Sequence, residues 1–145
     1  MRLWKIGVVC TLLVAVSPAM NLHKMIWYKS PAKRIQGTIV DLNGEGVYGA
    51  DVSVYDHPEV WSDDSLNDDQ KRAKQTKVAT TSTDEDGKFS LRKLPKGAYE
   101  IEFNKGGFDT LSVIVEVDPS SHAKKFCVEL AVSDTSGEPS FKPCK

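Results

Sequence analysis

The sequence predicts an all-β protein in which seven short strands form a two-sheet antiparallel sandwich. After Lys33, short runs rich in β-branched and aromatic residues recur at a spacing of about ten residues, which is typical of sandwiches. Apolar and polar residues alternate with period two inside these runs, as in half-buried strands. Turns rich in Gly, Pro, Asn and Asp separate them. The 145 residues are enough for one such domain.

The first two predicted strands are "RIQGTIVDL" and "ADVSVYD", joined by the glycine-rich turn "NGEGVYG". Alternation places one set of small and apolar residues on the core side and puts Tyr55 on the opposite face. The predicted core-facing residues are Ile35, Gly37, Ile39, Ala50, Val52 and Val54.

Three further strands surround two tight turns. "KVATTST" is rich in β-branched residues, and "DEDG" then turns the chain into "KFSLRKL". "LPKG" leads into "AYEIEF", where Pro95 and Gly97 supply the backbone angles that a turn needs. The residues expected to face the core are Phe89, Leu91, Tyr99, Ile101 and Phe103. Glu100 and Glu102 fall on the other face and are expected to meet water.

The last two predicted strands are "FDTLSVIVEV" and "KFCVELAV". Their predicted core-facing residues are Leu111, Val113, Val115, Val117, Phe126, Val128, Leu130 and Val132. The domain is therefore expected to span residues 33–132, with a C-terminal tail at 133–145.

One insertion breaks this rhythm at residues 57–75, "HPEVWSDDSLNDDQKRAKQ". Connections of this length are usually functional or disordered. A long loop or a short helix from Asp63 to Lys74 is predicted, with Ser62 as its N-cap. Acids near its start and bases near its end would match the helix dipole.

The first residues predict export. "MRLWK" is basic, Ile6–Val16 is an apolar run of 11 residues, and "SPA" provides small residues at a cleavage site after Ala19. Residues 1–19 are thus a predicted signal peptide, and 20–32 are expected to be a leader or linker. An uncleaved membrane anchor is the alternative. The expected location is periplasmic or extracellular.

Two cysteines remain after such cleavage. In an exported chain, Cys127 and Cys144 are expected to form one disulfide. Cys127 lies between two inward-facing residues and should point outward, so the tail would fold back to bring Cys144 to it. Two free thiols in a reducing compartment are the alternative.

Two segments resemble the carboxypeptidase regulatory-like domain. The pattern G-x-I/V-x-D-x-x-G…G-A-x-V-x-V is matched by Gly37, Ile39, Asp41, Gly44, Gly49, Ala50, Val52 and Val54. The pattern T-D-x-D/N-G-x-F-x-L…L-P-x-G-x-Y is matched by Thr83, Asp84, Asp86, Gly87, Phe89, Leu91, Leu94, Pro95, Gly97 and Tyr99. The resemblance covers residues 34–118 and implies a prealbumin-like Greek-key sandwich that acts as a non-catalytic accessory module. The insertion at 57–75 and the cysteine-bearing tail depart from the pattern.

No catalytic residue, metal site or cofactor site is predicted. The three histidines stand far apart without metal-ligand spacing, and no G-x-S-x-G nucleophile motif is present. The acidic turn Asp84–Asp86 offers oxygens to calcium, but a turn needs polar residues in any case. The formal net charge of -1 argues against nucleic acid as a partner. A membrane partner is expected only if the signal segment stays attached.

The expected function is a binding or protein-interaction module that contacts a protein or a glycan through the 57–75 segment. Trp61, Tyr48 and Tyr55 are the predicted contact residues, because exposed aromatic rings anchor interfaces and stack on sugars. A carbohydrate-binding (starch-binding-like) module is one alternative. A structural subunit that assembles through an open sheet edge is another.

Overall fold

The protein is described by a computed structural model that covers residues 23–134 and 136–145. Nine strands in that part of the chain form two sheets. In chain order they are β1 His23–Ala32, β2 Gln36–Val40, β3 Asp51–Tyr55, β4 Lys77–Ser82, β5 Lys88–Ser90, β6 Gly97–Asn104, β7 Thr110–Val117, β8 Phe126–Glu129 and β9 Ser140–Pro143. A 3-10 helix, Pro58–Ser62, and one α-helix, α1 Asp68–Ala73, lie between β3 and β4.

The two sheets are a five-stranded sheet, in the order β1-β7-β6-β3-β4, and a four-stranded sheet, in the order β5-β2-β8-β9. The predicted all-β sandwich is confirmed, and the seven predicted strands correspond to β2 through β8. The strand pairs β1–β7 and β2–β8 are parallel, whereas the other pairings among the described residues are antiparallel.

The segment expected to be a leader contributes a strand. From His23 onward it runs parallel to β7 and forms one edge of the five-stranded sheet. Ile26 and Tyr28 pack against the core, while Trp27 on the alternate face is 54% exposed. The sandwich therefore begins about ten residues before the predicted boundary at residue 33.

The C-terminal tail also joins a sheet. β9 pairs antiparallel with β8 and buries Phe141 between the sheets. Cys127 and Cys144 form a disulfide with their Cα atoms 5.0 Å apart, as the sequence predicts. The tail reaches Cys127 as an edge strand and not by folding over the outer face.

The core lies between the two sheets and consists of the predicted inward-facing apolar side chains. Those of β3, β6, β7 and β8 are almost all inaccessible to solvent. Val132 is the exception, because it is 41% exposed. The strand β8 ends at Glu129, and Val132 forms an isolated bridge with Phe108 outside that strand, so the alternation does not extend to it.

Two glycines are required by close backbone contacts. A β-carbon on Gly37 would collide with the carbonyl oxygen of Phe126 on the neighbouring strand β8. Gly87 has a φ of +76°, and a β-carbon there would collide with the carbonyl of Ile39. Only glycine tolerates both conditions without strain.

The predicted signal peptide, residues 1–19, lies outside the described residues. Within the described residues, no helix has the length and apolar character needed to cross a bilayer.

Removing β1 should destabilise the domain. A chain starting at Lys33 loses the contacts of Ile26 and Tyr28 with the core, at a cost of about 3 kcal/mol or more. Urea unfolding followed by tryptophan fluorescence measures the difference from a chain starting at Met20. The control is Trp27→Ala in the longer chain, which removes an exposed ring. Equal stability of the two chains would show that β1 contributes nothing to the fold.

Removing the disulfide should also lower stability. The bond closes a loop with a sequence separation of 17, and the chain-entropy model assigns about 3 kcal/mol to a loop of this size. Cys127→Ser with Cys144→Ser should therefore lower the urea midpoint of unfolding. Reducing agent should lower the midpoint of the unchanged protein by the same amount and leave the double variant unaffected. A double variant as stable as the parent would contradict the expectation.

Candidate functional site

The carboxylate of Glu100 is buried on the outer face of the five-stranded sheet. Strand alternation correctly places it opposite the core, but the expectation that it meets water is wrong. Glu100 has 0% exposure, and Glu102, next on the same face, is only partly exposed. The cause is the 57–75 insertion, hereafter the insert, which folds over this face.

The insert has a defined conformation. The chain passes through the 3-10 helix and then into α1, which is shorter than the predicted helix. The N-cap is Asn67 and not Ser62, because the Asn67 side chain accepts from the Gln70 amide while the Gln70 side chain accepts from the Asn67 amide. Asp63, predicted to start the helix, instead accepts hydrogen bonds from the backbone and hydroxyl of Ser65.

Arg72 of α1 joins the insert to the sheet. Its Nη2 donates to Glu100 Oε1 at 2.9 Å and to Glu102 Oε2 at 2.8 Å, and its Nη1 donates to Glu100 Oε2 at 3.1 Å. The contact with Glu100 is bidentate, the strongest arrangement of these two groups. Because Glu100 is fully buried, this ion pair holds the insert in place.

Other groups complete the hydrogen bonding of Glu100. The Trp61 indole Nε1 donates to Glu100 Oε2 at 2.6 Å, and Ser112 and Gln75 also bond the carboxylate. Burial by itself would raise the pKa of Glu100. The hydrogen bonds from Arg72 and the neighbouring side chains outweigh burial, so the pKa is lower than that of an ordinary glutamate.

The structure brings together two of the three predicted contact aromatics, Tyr55 and Trp61, but not Tyr48. The Arg72 guanidinium lies 3.9 Å from the centre of the Tyr55 ring and 5.5 Å from that of Trp61, so these two rings enclose the ion pair. Tyr48 is 65% exposed, but it precedes β3 and so lies at the other end of the sandwich. Sequence reasoning missed Arg72 and Glu100. The available signal was an arginine in a long insertion and a glutamate in the central strand.

The acidic turn has a structural role. The Asp84 carboxylate accepts from the backbone amides of Asp86 and Lys88, which closes the turn before β5. Across residues 23–134 and 136–145, no group of three or more His, Cys, Asp or Glu side chains is arranged to hold a metal ion.

Breaking the ion pair should be costly. Arg72→Met keeps the length of the side chain but leaves the buried Glu100 without its cation, which costs about 3 kcal/mol. Urea unfolding measures the loss. The matched control is Arg92→Met, because Arg92 is an exposed arginine that bonds only a backbone carbonyl, Val78 O, among the described residues.

The loss of stability caused by Arg72→Met should depend on pH. The pKa of Glu100 is lower in the folded protein than in the unfolded chain. The Arg72–Glu100 pair therefore stabilises the fold fully at pH values above the ordinary glutamate pKa. This stabilisation is lost as the pH falls through the Glu100 pKa of the folded protein. The difference between the parent and Arg72→Met should therefore be largest near neutral pH and shrink in acid. Adding Glu100→Gln to Arg72→Met should recover part of the loss. A pH-independent difference would show that Arg72 acts only through packing.

A comparison with protein-family models agrees with this architecture. The carboxypeptidase regulatory-like domain model matches residues 34–126, from just before β2 to the first residue of β8. No curated protein was found to match this chain. Among solved structures, the chain is similar to a transthyretin from Sparus aurata, with 18% identity, a TM-score of 0.49, and coverage of 77% of this chain and 98% of that chain. Because the family model spans most of the sequence, this chain belongs to the carboxypeptidase regulatory-like domain family.

Proposed function

We propose that this chain is an exported, non-catalytic binding module and that the insert is its contact surface for a protein partner. Membership of a regulatory-like domain family supports a module role. The disulfide between Cys127 and Cys144 supports export, because such bonds persist in oxidising compartments outside the cytosol.

The observation that carries the proposal is the distribution of charge in the insert. Of the three cations in the insert, Lys71 is buried and Arg72 is turned toward the sheet, so only Lys74 is exposed. The acids are all exposed: Glu59, Asp63, Asp64, Asp68 and Asp69. The insert therefore presents an acidic surface, which is complementary to a basic surface on a partner.

Preorganisation supports the same conclusion. A binding loop that is already ordered avoids the entropy cost of ordering on association. The Arg72–Glu100 pair and the Asn67–Gln70 capping box order the insert in the free protein. The insert residues Asn67, Gln70 and Arg72 are not part of the apolar core between the sheets.

The carbohydrate alternative gains less support. The Trp61 ring is half-buried, its Nε1 bonds Glu100, and Lys71 lies 5.6 Å from its centre. These contacts favour a structural role for Trp61 over stacking on a sugar. Carbohydrate binding through Tyr48 stays a separate hypothesis.

Reversing charge in the insert should abolish partner capture. Asp64→Lys with Asp69→Lys changes the exposed acidic surface, and the control Glu45→Lys with Glu85→Lys makes the same charge change at exposed turns away from the insert. Chemical cross-linking of residues 20–145 in an envelope extract of the expressing cell, followed by mass spectrometry, identifies the captured protein. We expect capture by the parent and the control, and loss with the insert variant.

Two readouts distinguish this result from misfolding or glycan binding. The melting temperature and tryptophan fluorescence of the insert variant should match those of the parent, which shows that the Arg72–Glu100 pair is intact. Equal capture by all three proteins would contradict the assignment of the insert as the contact surface. Capture that disappears after enzymatic removal of glycans would instead favour carbohydrate binding.

A further inference from the structure

A second surface feature lies at the end of the sandwich where the insert also leaves β3, but no residue of the insert lines it. Three connections form a cavity of about 310 Å³ there: the β1–β2 turn, the β5–β6 turn and the β7–β8 loop. Its size is at the lower end of the range for small-ligand sites. The lining residues are Lys33, Arg34, Gln36, Lys93, Leu94, Pro119 and Ala123.

The walls of this cavity are fixed by hydrogen bonds between the connections. The Lys33 amide donates to the His122 carbonyl at 3.4 Å, and the Asp118 amide donates to the Ala32 carbonyl at 2.9 Å. The Leu91 amide donates to the Ile35 carbonyl at 3.0 Å. The cavity is therefore built by the fold and does not depend on the arrangement of surface side chains alone.

Its three cations have no acidic partner. Lys33, Arg34 and Lys93 are exposed, and none of them forms an ion pair with another described residue. Arg34 Nε donates to the Leu91 carbonyl at 3.4 Å, which orients the guanidinium. In contrast, Lys96 near the same end pairs with Asp118 at 3.1 Å. The cavity thus concentrates positive charge that the protein does not neutralise.

The three connections that form the cavity are basic, whereas the insert, which is the fourth connection at this end of the sandwich, carries the exposed acids. Segments 33–35, 91–96 and 118–125 carry seven Lys or Arg residues and one acid, Asp118. The loops at the opposite end, 41–50, 83–87, 105–109 and 130–139, carry eight acids and one lysine. The positive charge of the three connections attracts anions to the cavity.

A neighbouring depression extends the positive surface. It has a volume of about 170 Å³, shares Gln36 with the first cavity, and is lined in part by Lys88 and Lys125. No acidic side chain lines either cavity. An anionic ligand in the first cavity therefore has room to extend over the outer face of the four-stranded sheet.

We infer that the end cavity binds a carboxylate attached to a small apolar body, held by Arg34, Lys33 and Lys93 over Leu94, Pro119 and Ala123. A guanidinium binds carboxylates in bidentate fashion, and the apolar lining suits an aliphatic body. Phosphate sites usually add backbone amides of a helix N-terminus, and no described helix starts at this cavity. The lining contains no aromatic ring on which a sugar would stack.

A carboxylate on a small apolar body occurs in two kinds of ligand, the C-terminus of a peptide and a free organic acid. Titrations of residues 20–145 followed by amide NMR shifts test both, with N-acetyl-alanyl-leucine as the peptide and 4-methylpentanoate as the free acid. We expect the amide signals of Gln36, Leu94 and Ala123 to shift. The probe that binds with the higher affinity shows whether the ligand is a peptide C-terminus or a free acid. The C-terminal amide of the same peptide should bind about tenfold more weakly or not at all, since it lacks the charge.

Variants assign the contact to the cavity. Arg34→Gln with Lys93→Gln should weaken carboxylate binding by about tenfold or more, because each lost charged hydrogen bond is worth more than 1 kcal/mol. Lys29→Gln with Lys74→Gln removes the same charge from exposed sites outside the cavity and should change affinity by less than about twofold.

Three results would overturn the inference: equal binding of acid and amide, equal binding by the two double variants, or displacement of the carboxylate by lower concentrations of inorganic phosphate. Because no insert residue lines this cavity, each of these three results leaves the proposed contact surface of the insert untouched.

Discussion

A cluster of aromatic rings between the sheets joins the parts of this molecule that are far apart in sequence. The rings of Phe126 and Phe141 stack at 4.5 Å, and Tyr28 meets both of them edge-on at 5.4 Å. Phe103 links this group to Phe89 at 5.6 Å. These five rings come from β1, β5, β6, β8 and β9. The two edge strands β1 and β9, which lie outside the segment matched by the family model, are therefore part of the same core, because each contributes one ring to it.

The outer face of the five-stranded sheet follows a different physical rule. There the central strand carries a buried charge, and a buried charge is tolerated only when it is paired and hydrogen-bonded. Arg72 meets this condition from a helix of six residues that would be marginal in isolation. The dependence is mutual: Glu100 requires the insert to cover it, and the insert requires Glu100 to fix its position.

Period-two alternation was sufficient to predict β2 to β8 and nearly all of their inward-facing residues. It did not predict β1, because Met25, Ile26, Trp27 and Tyr28 place apolar side chains on both faces and the alternation disappears. The strand β9 contributes a single buried residue, Phe141, and ends at a proline, which leaves too little pattern to recognise. The burial of Glu100 lay beyond any local pattern, since it depends on a segment 28 residues away that folds back onto the sheet.

The direction of β1 sets how the molecule is oriented relative to whatever precedes it. Residue His23 pairs with Thr110 beside the acidic loops, and Ala32 pairs with Val117 beside the basic cavity. Ten residues of extended chain separate these points by about 30 Å. If residues 1–19 remain attached to a bilayer, the end that carries both the basic cavity and the base of the insert faces away from the lipid, toward soluble molecules in the surrounding compartment.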